Sequence, residues 1–176
     1  CDPGKYNNQY AQTSSSACHD CQKGKYNHQT GRSACHACGA GFYNDQTGRT
    51  ASSQCKNCNP GFYTDELGRT ASSECKNCNP GKYNDENART AATDCHNCQK
   101  GKYNDEYGKS VCKPCAAGRF NDDLGQSSAV FCSECPTGYY NDMDTGLGEC
   151  KSCVEGKYND EYGRAQVTEC HDCATG

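Results

Sequence analysis

Polar residues dominate this chain, and its few apolar positions recur singly at regular intervals, as in Gly81-Lys82-Tyr83-Asn84. The alternation in Gly-Lys-Tyr-Asn predicts a short extended segment with Tyr on one side and Lys and Asn on the other. The Asn-Asp-x-x-Gly pattern that follows predicts a turn, because Asx side chains bond the local backbone and glycine takes the left-handed conformation. The pattern therefore predicts short strands and turns, with almost no helix.

One motif is repeated along the whole chain. Nine Cys-x-x-Cys pairs follow one another at intervals of 17 to 20 residues, and Cys1 is the second member of a further pair. If the second cysteine of a pair is position 0, glycine follows at +3, an aromatic residue at +5, and Asn (once Thr64) at +6. We interpret the chain as a window on a longer array of repeats. Repeats 1 to 9 cover residues 1–20, 21–37, 38–57, 58–77, 78–97, 98–114, 115–134, 135–152 and 153–172.

Apolar residues are too few to fold this chain by burial alone. Its 176 residues include three Leu, four Val, four Phe, and neither Ile nor Trp. That share is far below the roughly 20% under which chains are typically disordered. Nineteen cysteines indicate a disulfide scaffold and an oxidising location, extracellular or at the cell surface. We predict a small disulfide-rich fold, an elongated repeat rod of short strands and turns.

Charge and hydropathy argue against nucleic-acid binding and against a membrane-spanning segment. The net charge is −4 with the signs interspersed, which does not favour nucleic acid. No apolar run is long enough to cross a bilayer, and no signal peptide is recognisable. We expect no nucleic-acid partner and no membrane span in this window.

The cysteine spacing favours a pairing that closes each repeat, although spacing alone does not prove connectivity. In this scheme the second cysteine of one pair bonds the first cysteine of the next. Each loop of about 15 residues would then contribute roughly 3 kcal/mol in the chain-entropy description. Cys173 would remain unpaired in this window, and a further repeat would supply its partner. The predicted bridges are Cys1–Cys18, Cys21–Cys35, Cys38–Cys55, Cys58–Cys75, Cys78–Cys95, Cys98–Cys112, Cys115–Cys132, Cys135–Cys150 and Cys153–Cys170.

Zinc is the alternative use of these cysteines, because two Cys-x-x-Cys pairs approach zinc-ribbon spacing. Zinc would pair repeats two by two, whereas the sequence shows a one-repeat period. Redox catalysis would need a thioredoxin-like βαβ pattern, and covalent haem would need His after a pair, which none has. His19, His36, His96 and His171 lie inside pairs, where lysine or serine stands in other repeats, and we interpret them as exposed polar residues.

We predict no cofactor and no metal site. Calcium is the one alternative ligand, because carboxylates at +7 and +8, such as Asp65-Glu66, offer hard oxygen atoms. The competing interpretation is a solvated turn, since the first two repeats lack these acids.

Serine and threonine are concentrated after the turn, in the limb where repeat length varies as a surface loop would. The chain has no Asn-x-Ser/Thr sequon, so N-glycans are not expected. O-glycans are expected on this limb. The candidate acceptors are Thr13, Ser14, Thr50, Ser52, Thr70, Ser72, Thr90, Thr93, Ser127 and Ser128.

The set Cys78, Gly81, Tyr83 and Cys95 resembles the cysteine-rich module of tumour-necrosis-factor receptors. The chain is more similar to the tandem ephrin-receptor-like repeats of large surface proteins. This resemblance implies modules that stack end to end, with the aromatic ring packed on the disulfide. Receptors interleave a second module type, whereas this chain repeats one.

These features favour a non-catalytic extracellular structural protein, a component of a filament or surface coat whose partners are neighbouring copies. No unrepeated catalytic constellation is present, so an enzyme is not expected. The alternative is a receptor or adhesin ectodomain that binds a protein ligand. Its nearest candidate site residues are Phe131, Tyr139, Tyr140 and Met143.

Overall fold

The computed structural model of the chain describes residues 1–142 and 146–174. Its regular structure consists of nine two-stranded antiparallel hairpins, one in each repeat. The strands are β1 Lys5–Tyr6, β2 His19–Asp20, β3 Lys25–Tyr26, β4 His36–Ala37, β5 Phe42–Tyr43, β6 Lys56–Asn57, β7 Phe62–Tyr63, β8 Lys76–Asn77, β9 Lys82–Tyr83, β10 His96–Asn97, β11 Lys102–Tyr103, β12 Lys113–Pro114, β13 Arg119–Phe120, β14 Ser133–Glu134, β15 Tyr139–Tyr140, β16 Lys151–Ser152, β17 Lys157–Tyr158 and β18 His171–Asp172.

Each hairpin joins the extended segment at +4 and +5 to the two residues inside the next Cys-x-x-Cys pair. In repeat 5, Tyr83 lies opposite His96 and Lys82 lies opposite Asn97. A two-residue ladder is marginal by itself in water, and one disulfide closes each of these loops. The described residues contain no α-helix. The prediction of a small disulfide-rich fold of short strands and turns is confirmed.

Nine disulfides connect the cysteines in the order that the spacing favours. Their Cα–Cα distances of 5.4 to 5.9 Å fall within the usual range for disulfides. Cys173 is unpaired and exposed. The bridges are Cys1–Cys18, Cys21–Cys35, Cys38–Cys55, Cys58–Cys75, Cys78–Cys95, Cys98–Cys112, Cys115–Cys132, Cys135–Cys150 and Cys153–Cys170.

The length of the closing limb depends on a single 3-10 turn. Repeats whose bridged cysteines are 17 apart carry this turn, whereas no such turn occurs in the described residues of the repeats with separations of 14 or 15. The difference is close to the three residues that one 3-10 turn contains. The turns are Ser15–Ala17, Ser52–Gln54, Ser72–Glu74, Ala92–Asp94, Ala129–Phe131 and Val167–Glu169.

The chain divides into two compact units. The first unit comprises residues 1–77 together with 85–94, and the second comprises residues 78–84 together with the chain from 95 onward. Each unit contains several consecutive repeats in contact with one another.

Cysteine and asparagine form the core of both units. The bridged cysteines include Cys21, Cys98 and Cys115, which have no exposed surface. From repeat 2 onward the Asn side chains at +6 are equally buried, between 0% and 4% exposed, whereas Asn7 is half-buried. The tyrosines at +5 are only half-buried in most repeats, and Tyr158 is 46% exposed. The alternation expected at Gly-Lys-Tyr-Asn therefore turns its amide inward and leaves the aromatic ring partly in solvent.

Candidate functional site

The most regular feature of the structure is the junction between successive repeats, which is built from backbone groups. In the first unit, Gly24 N–H donates to Asn44 O at 2.7 Å and Asn27 N–H donates to Arg49 O at 2.9 Å. Gly48 N–H donates back to Cys21 O at 2.8 Å. These three bonds satisfy buried main-chain groups that would otherwise be costly.

The same bonds recur in the second unit. Gly101 N–H donates to Asn121 O at 2.7 Å, Asn104 N–H to Gln126 O at 2.9 Å, and Gly125 N–H to Cys98 O at 2.8 Å. The positions at +3, +6 and +10 thus have the same partners in both compact units. A junction of this kind depends on backbone geometry, so side chains elsewhere in the repeat are free to vary.

In six repeats the asparagine at +6 ties its repeat to the preceding one through its side chain. Asn104 is fully buried. Its Nδ2 donates to Lys82 O at 2.6 Å, and its Oδ1 accepts from Glu106 N–H at 3.2 Å. One amide therefore closes the local turn and bridges two repeats. Carbonyls of the preceding repeat also accept from Asn27, Asn44, Asn121, Asn141 and Asn159.

Repeat 4 departs from this arrangement. Thr64 is fully buried in place of asparagine. Its Oγ1 accepts from Glu66 N–H at 3.4 Å, which reproduces the turn contact weakly. Its backbone still joins the junction, since Thr64 N–H donates to Arg89 O at 3.0 Å. The hydroxyl is shorter than the carboxamide, so repeat 4 retains the turn with a weaker side-chain contact.

The glycine at +3 also approaches the repeat two positions further along. Gly118 has φ +77°, and a Cβ built there would lie 2.1 Å from Gly163 O. Gly24 is placed in the same way against Gly68 O, at 2.0 Å. Within each unit a repeat therefore touches both its first and its second successor, closer packing than the neighbour-only contacts typical of solenoids.

Ion pairs occupy the exposed side of the hairpins. Lys76 Nζ lies 2.6 Å from Asp65 Oδ1 and also contacts Glu66. In repeat 6, Lys113 contacts both Asp105 at 2.6 Å and Glu106 at 2.8 Å. Hydrogen bonds from the lysine side chains lower the pKa of Asp65 and Asp105 below the ordinary value.

The +7 and +8 carboxylates, considered above as calcium ligands, thus lie beside ammonium and guanidinium groups. Glu66 and Glu86 contact Arg69 and Arg89 in the same turn. In residues 1–142 and 146–174, no group of three or more His, Cys, Asp or Glu side chains is arranged to hold a metal ion. The prediction that no cofactor is used remains a prediction.

Carboxylates just before the closing cysteine have a separate role. Glu74 accepts from Thr70 N–H at 2.6 Å, and this backbone hydrogen bond lowers its pKa. Glu169 accepts from Ala165 and Gln166 N–H groups at 2.7 and 2.8 Å, with the same effect on its pKa. These side chains fix the limb that leads into the 3-10 turn.

The four histidines inside Cys-x-x-Cys pairs lie on the second strand of their hairpins and face the aromatic ring at +5. The ring centroids of Tyr6–His19, Tyr26–His36, Tyr83–His96 and Tyr158–His171 are 5.9, 5.7, 6.0 and 6.1 Å apart. All four imidazoles are exposed, as the sequence interpretation expected.

The ten candidate O-glycan acceptors all lie on the closing limb. Thr70 and Ser128 are half-buried, and the other eight, Thr13, Ser14, Thr50, Ser52, Ser72, Thr90, Thr93 and Ser127, are exposed. Some hydroxyls serve the fold as well, because Ser14 and Ser128 cap 3-10 turns through their Oγ atoms.

Exposed apolar side chains are concentrated in the second unit. Of the large apolar residues described as exposed, two (Tyr10 and Leu67) lie in the first unit and ten in the second. Phe131 is 48% and Tyr139 42% exposed, Tyr140 is half-buried, and Met143 lies outside the described residues. The ten are Tyr107, Val111, Leu124, Val130, Phe131, Tyr139, Val154, Tyr158, Tyr162 and Val167.

Sequence reasoning did not identify the asparagine bridge between repeats. It assigned Asn at +6 to local turn chemistry, which the structure retains, but not to the contact with the preceding repeat. The available signal was the recurrence of Asn at +6 beside side chains that vary at +4. A local Asx turn alone would tolerate Asp or Ser there.

Comparison with known families agrees with this architecture. Residues 8–55 match a family model described as tyrosine-protein kinase ephrin type A/B receptor-like. No curated protein matches the chain. Cysteine-rich repeats of this kind, with one disulfide per repeat, are typical of extracellular domains. The described residues include no helix that is long and apolar enough to cross a bilayer.

Proposed function

We propose that this chain is a non-catalytic, extracellular structural repeat protein, a component of a filament or surface coat whose partners are neighbouring copies of itself. The observation that supports the proposal is the uniform junction. Gly24 and Gly101, in different units, make the same bond to the next repeat at the same 2.7 Å. Within each unit, a uniform contact specifies the same placement of successive repeats, which suits a spacer or fibre.

The chemistry of the junction suits an extracellular fibre as well. Its hydrogen bonds are directional, so they define the register between repeats without a large apolar interface. The disulfides lower the entropy of the unfolded chain and so provide the stability that the few apolar residues cannot provide by burial. Exposed pairs such as Lys56–Asp45 keep the surface polar and mixed in charge, which favours solubility.

Sedimentation velocity over a range of concentrations, together with negative-stain images, tests the proposal. The sample is the oxidised chain carrying Cys173→Ser, because the exposed thiol could otherwise create covalent dimers. We expect concentration-dependent assemblies that grow in one dimension. A chain that remains monomeric at every concentration, with no filaments on the grid, would overturn the fibre proposal.

Glycans on the closing limb form the second part of the proposal. Exposed hydroxyls such as those of Thr50 and Ser52 are available to glycosyltransferases. An intact mass of the native protein, before and after reduction and alkylation, would show hexose-sized increments beyond the mass of the polypeptide. A mass equal to that of the unmodified polypeptide would overturn the proposal of O-glycans and would not affect the fibre proposal.

The uneven distribution of exposed apolar residues favours the receptor or adhesin alternative. Ten such side chains in the second unit against two in the first would give a protein ligand a preferred unit. The combined variant Phe131→Ser and Tyr139→Ser distinguishes the two functions. The receptor or adhesin alternative is favoured if the parent chain captures a single extracellular protein and does not self-assemble, and if the double variant no longer captures that protein.

A further inference from the structure

Repeat 2 carries two histidines where repeats 3, 4, 6 and 8 carry an ion pair. His28 is at +7, where seven of the nine repeats have Asp, and His36 begins the second strand. Their imidazole rings are stacked, with centroids 5.7 Å apart and planes inclined by 28°. Both side chains are exposed. No other repeat has histidine at both positions.

The other repeats show that side chains at these two positions meet at their ends. In repeats 3, 4, 6 and 8 the +7 carboxylate and the strand lysine lie 2.6 to 2.8 Å apart. The backbone of the hairpin therefore directs both side chains toward a common point. In repeat 2 two imidazoles are directed there.

Tyr26 limits the freedom of both imidazoles. Its ring centroid lies 5.7 Å from that of His36 and 6.3 Å from that of His28. The three rings form one cluster on the exposed side of the hairpin. Ligands held in this way lose less conformational freedom when they bind an ion, which favours affinity.

Two imidazoles at this separation match the requirements of a transition metal ion. Metal–nitrogen bonds are about 2.0–2.1 Å, so two imidazoles on one tetrahedral ion have centroids about 5 Å apart. The 5.7 Å observed is within about 1 Å of that distance, and binding requires the exposed side chains to rotate so that one nitrogen of each ring faces the ion. We propose that His28 and His36 form a surface two-histidine clamp for a divalent transition metal ion, with water in the remaining coordination positions.

The order of affinity follows from the ligands. Imidazole suits Cu²⁺, Ni²⁺ and Zn²⁺, and Cu²⁺ binds most strongly in the general series of divalent ions. The cysteines do not compete, because eighteen are in disulfides, and Cys173 can be removed by substitution. The clamp is independent of the proposed structural function, since its residues take no part in the junctions described above.

The chain supplies a matched control for this site. The double variant His28→Asp and His36→Lys recreates the Asp–Lys pair of repeats 3 and 4, so it retains a contact that this hairpin accommodates. Both the parent and this variant carry Cys173→Ser. CuCl2 and, separately, ZnCl2 are titrated into each protein and followed by calorimetry. Copper-induced broadening of the histidine ring signals locates the bound ion.

We expect one ion per chain, with the signals of His28 and His36 broadened before those of His19, His96 and His171. The double variant should weaken binding by more than about 100-fold, because changes in outer-shell contacts alone cost about 10- to 100-fold. Equal affinity in the two proteins would overturn the proposal, and so would the absence of binding by the parent at millimolar metal. Unchanged amide spectra of the variant would show that the loss is not due to unfolding.

Discussion

The two sides of each hairpin differ in how they use polar residues. On the junction side, Asn104 is fully buried and joins two repeats through its amide. On the exposed side, the position opposite the aromatic ring is His36 in one repeat, Lys56 in the next and Ser133 in another. The junction side bonds backbone groups at fixed distances, whereas the exposed side needs only a polar partner. Stability should therefore depend on the junction side and on the disulfides within it.

Reduction of the disulfides should lower the stability of the fold more than any other change considered below. Without the nine disulfides, the few apolar residues cannot offset the entropy of the chain. We expect loss of amide dispersion in NMR spectra and an increase in hydrodynamic radius on treatment with a phosphine reductant. As a control, about 1 M salt, which screens exposed ion pairs, should leave the oxidised fold unchanged. A reduced chain that stayed compact would show that the junction suffices without disulfides.

The glycines at +3 offer a sharper test, because two of them differ only in their surroundings. Gly118 and Gly138 have φ of +77° and +81°, but a Cβ at Gly138 meets nothing within 4 Å. Gly138→Ala should cost only the left-handed strain, roughly 1–2 kcal/mol. Gly118→Ala adds a clash with Gly163 O, so we expect roughly 1–3 kcal/mol more. Urea unfolding of the oxidised proteins measures both, and equal costs would contradict the second-neighbour contact.

Removing the asparagine bridge should lower the free energy of unfolding slightly less than Gly118→Ala does. Asn104→Ala leaves Lys82 O and Glu106 N–H without the partners they have now. A buried group without a partner costs about 1–3 kcal/mol, and both of these hydrogen bonds are part-buried, so we expect a total loss of roughly 1–3 kcal/mol in urea unfolding. Asp105→Asn, on the exposed side of the same repeat, should have a much smaller effect.

Repeat 4 allows the reverse experiment. Thr64→Asn would supply the carboxamide that the other repeats use at +6. A new hydrogen bond to the preceding repeat should raise the free energy of unfolding by about 0.5–1.5 kcal/mol. A destabilised Thr64→Asn variant would show that the backbone of repeat 4 cannot accommodate the amide.

Acid should have the smallest effect, confined to the exposed side. Lys109 and Lys113 lower the pKa of Glu106 from 4.5 to about 2. A depressed carboxylate pKa contributes stability that is complete above pH 4.5 and is lost as the pH falls toward 2. In Glu106→Gln this part of the acid dependence should disappear from thermal unfolding curves of the oxidised protein. Identical pH profiles would show that these ion pairs contribute nothing to stability.

Much of the local structure could be predicted from the sequence. The repeat period, the extended Gly-Lys-Tyr-Asn segment and the Asn-Asp-x-x-Gly turn all depend on the conformations that nearby residues prefer. The cysteine spacing also favoured the same pairing of cysteines that the structure contains. The role of Gly118 was only half visible, because a positive φ is a local property, whereas its approach to Gly163 depends on a repeat two positions away.

The sequence by itself determined that this protein is an array of short strands and turns that depends on its cysteines, since its apolar residues are too few to fold it by burial and turn residues act locally. Only the tertiary structure decided which side of each hairpin is buried. Alternation separates Tyr83 from Asn84 but does not say which faces inward when neither side is strongly apolar. Contacts between repeats decided it, because the carboxamide of Asn104 donates to a carbonyl of the preceding repeat while its oxygen accepts from its own turn. The same contacts separate the buried asparagines from the exposed side, where His28 and His36 meet.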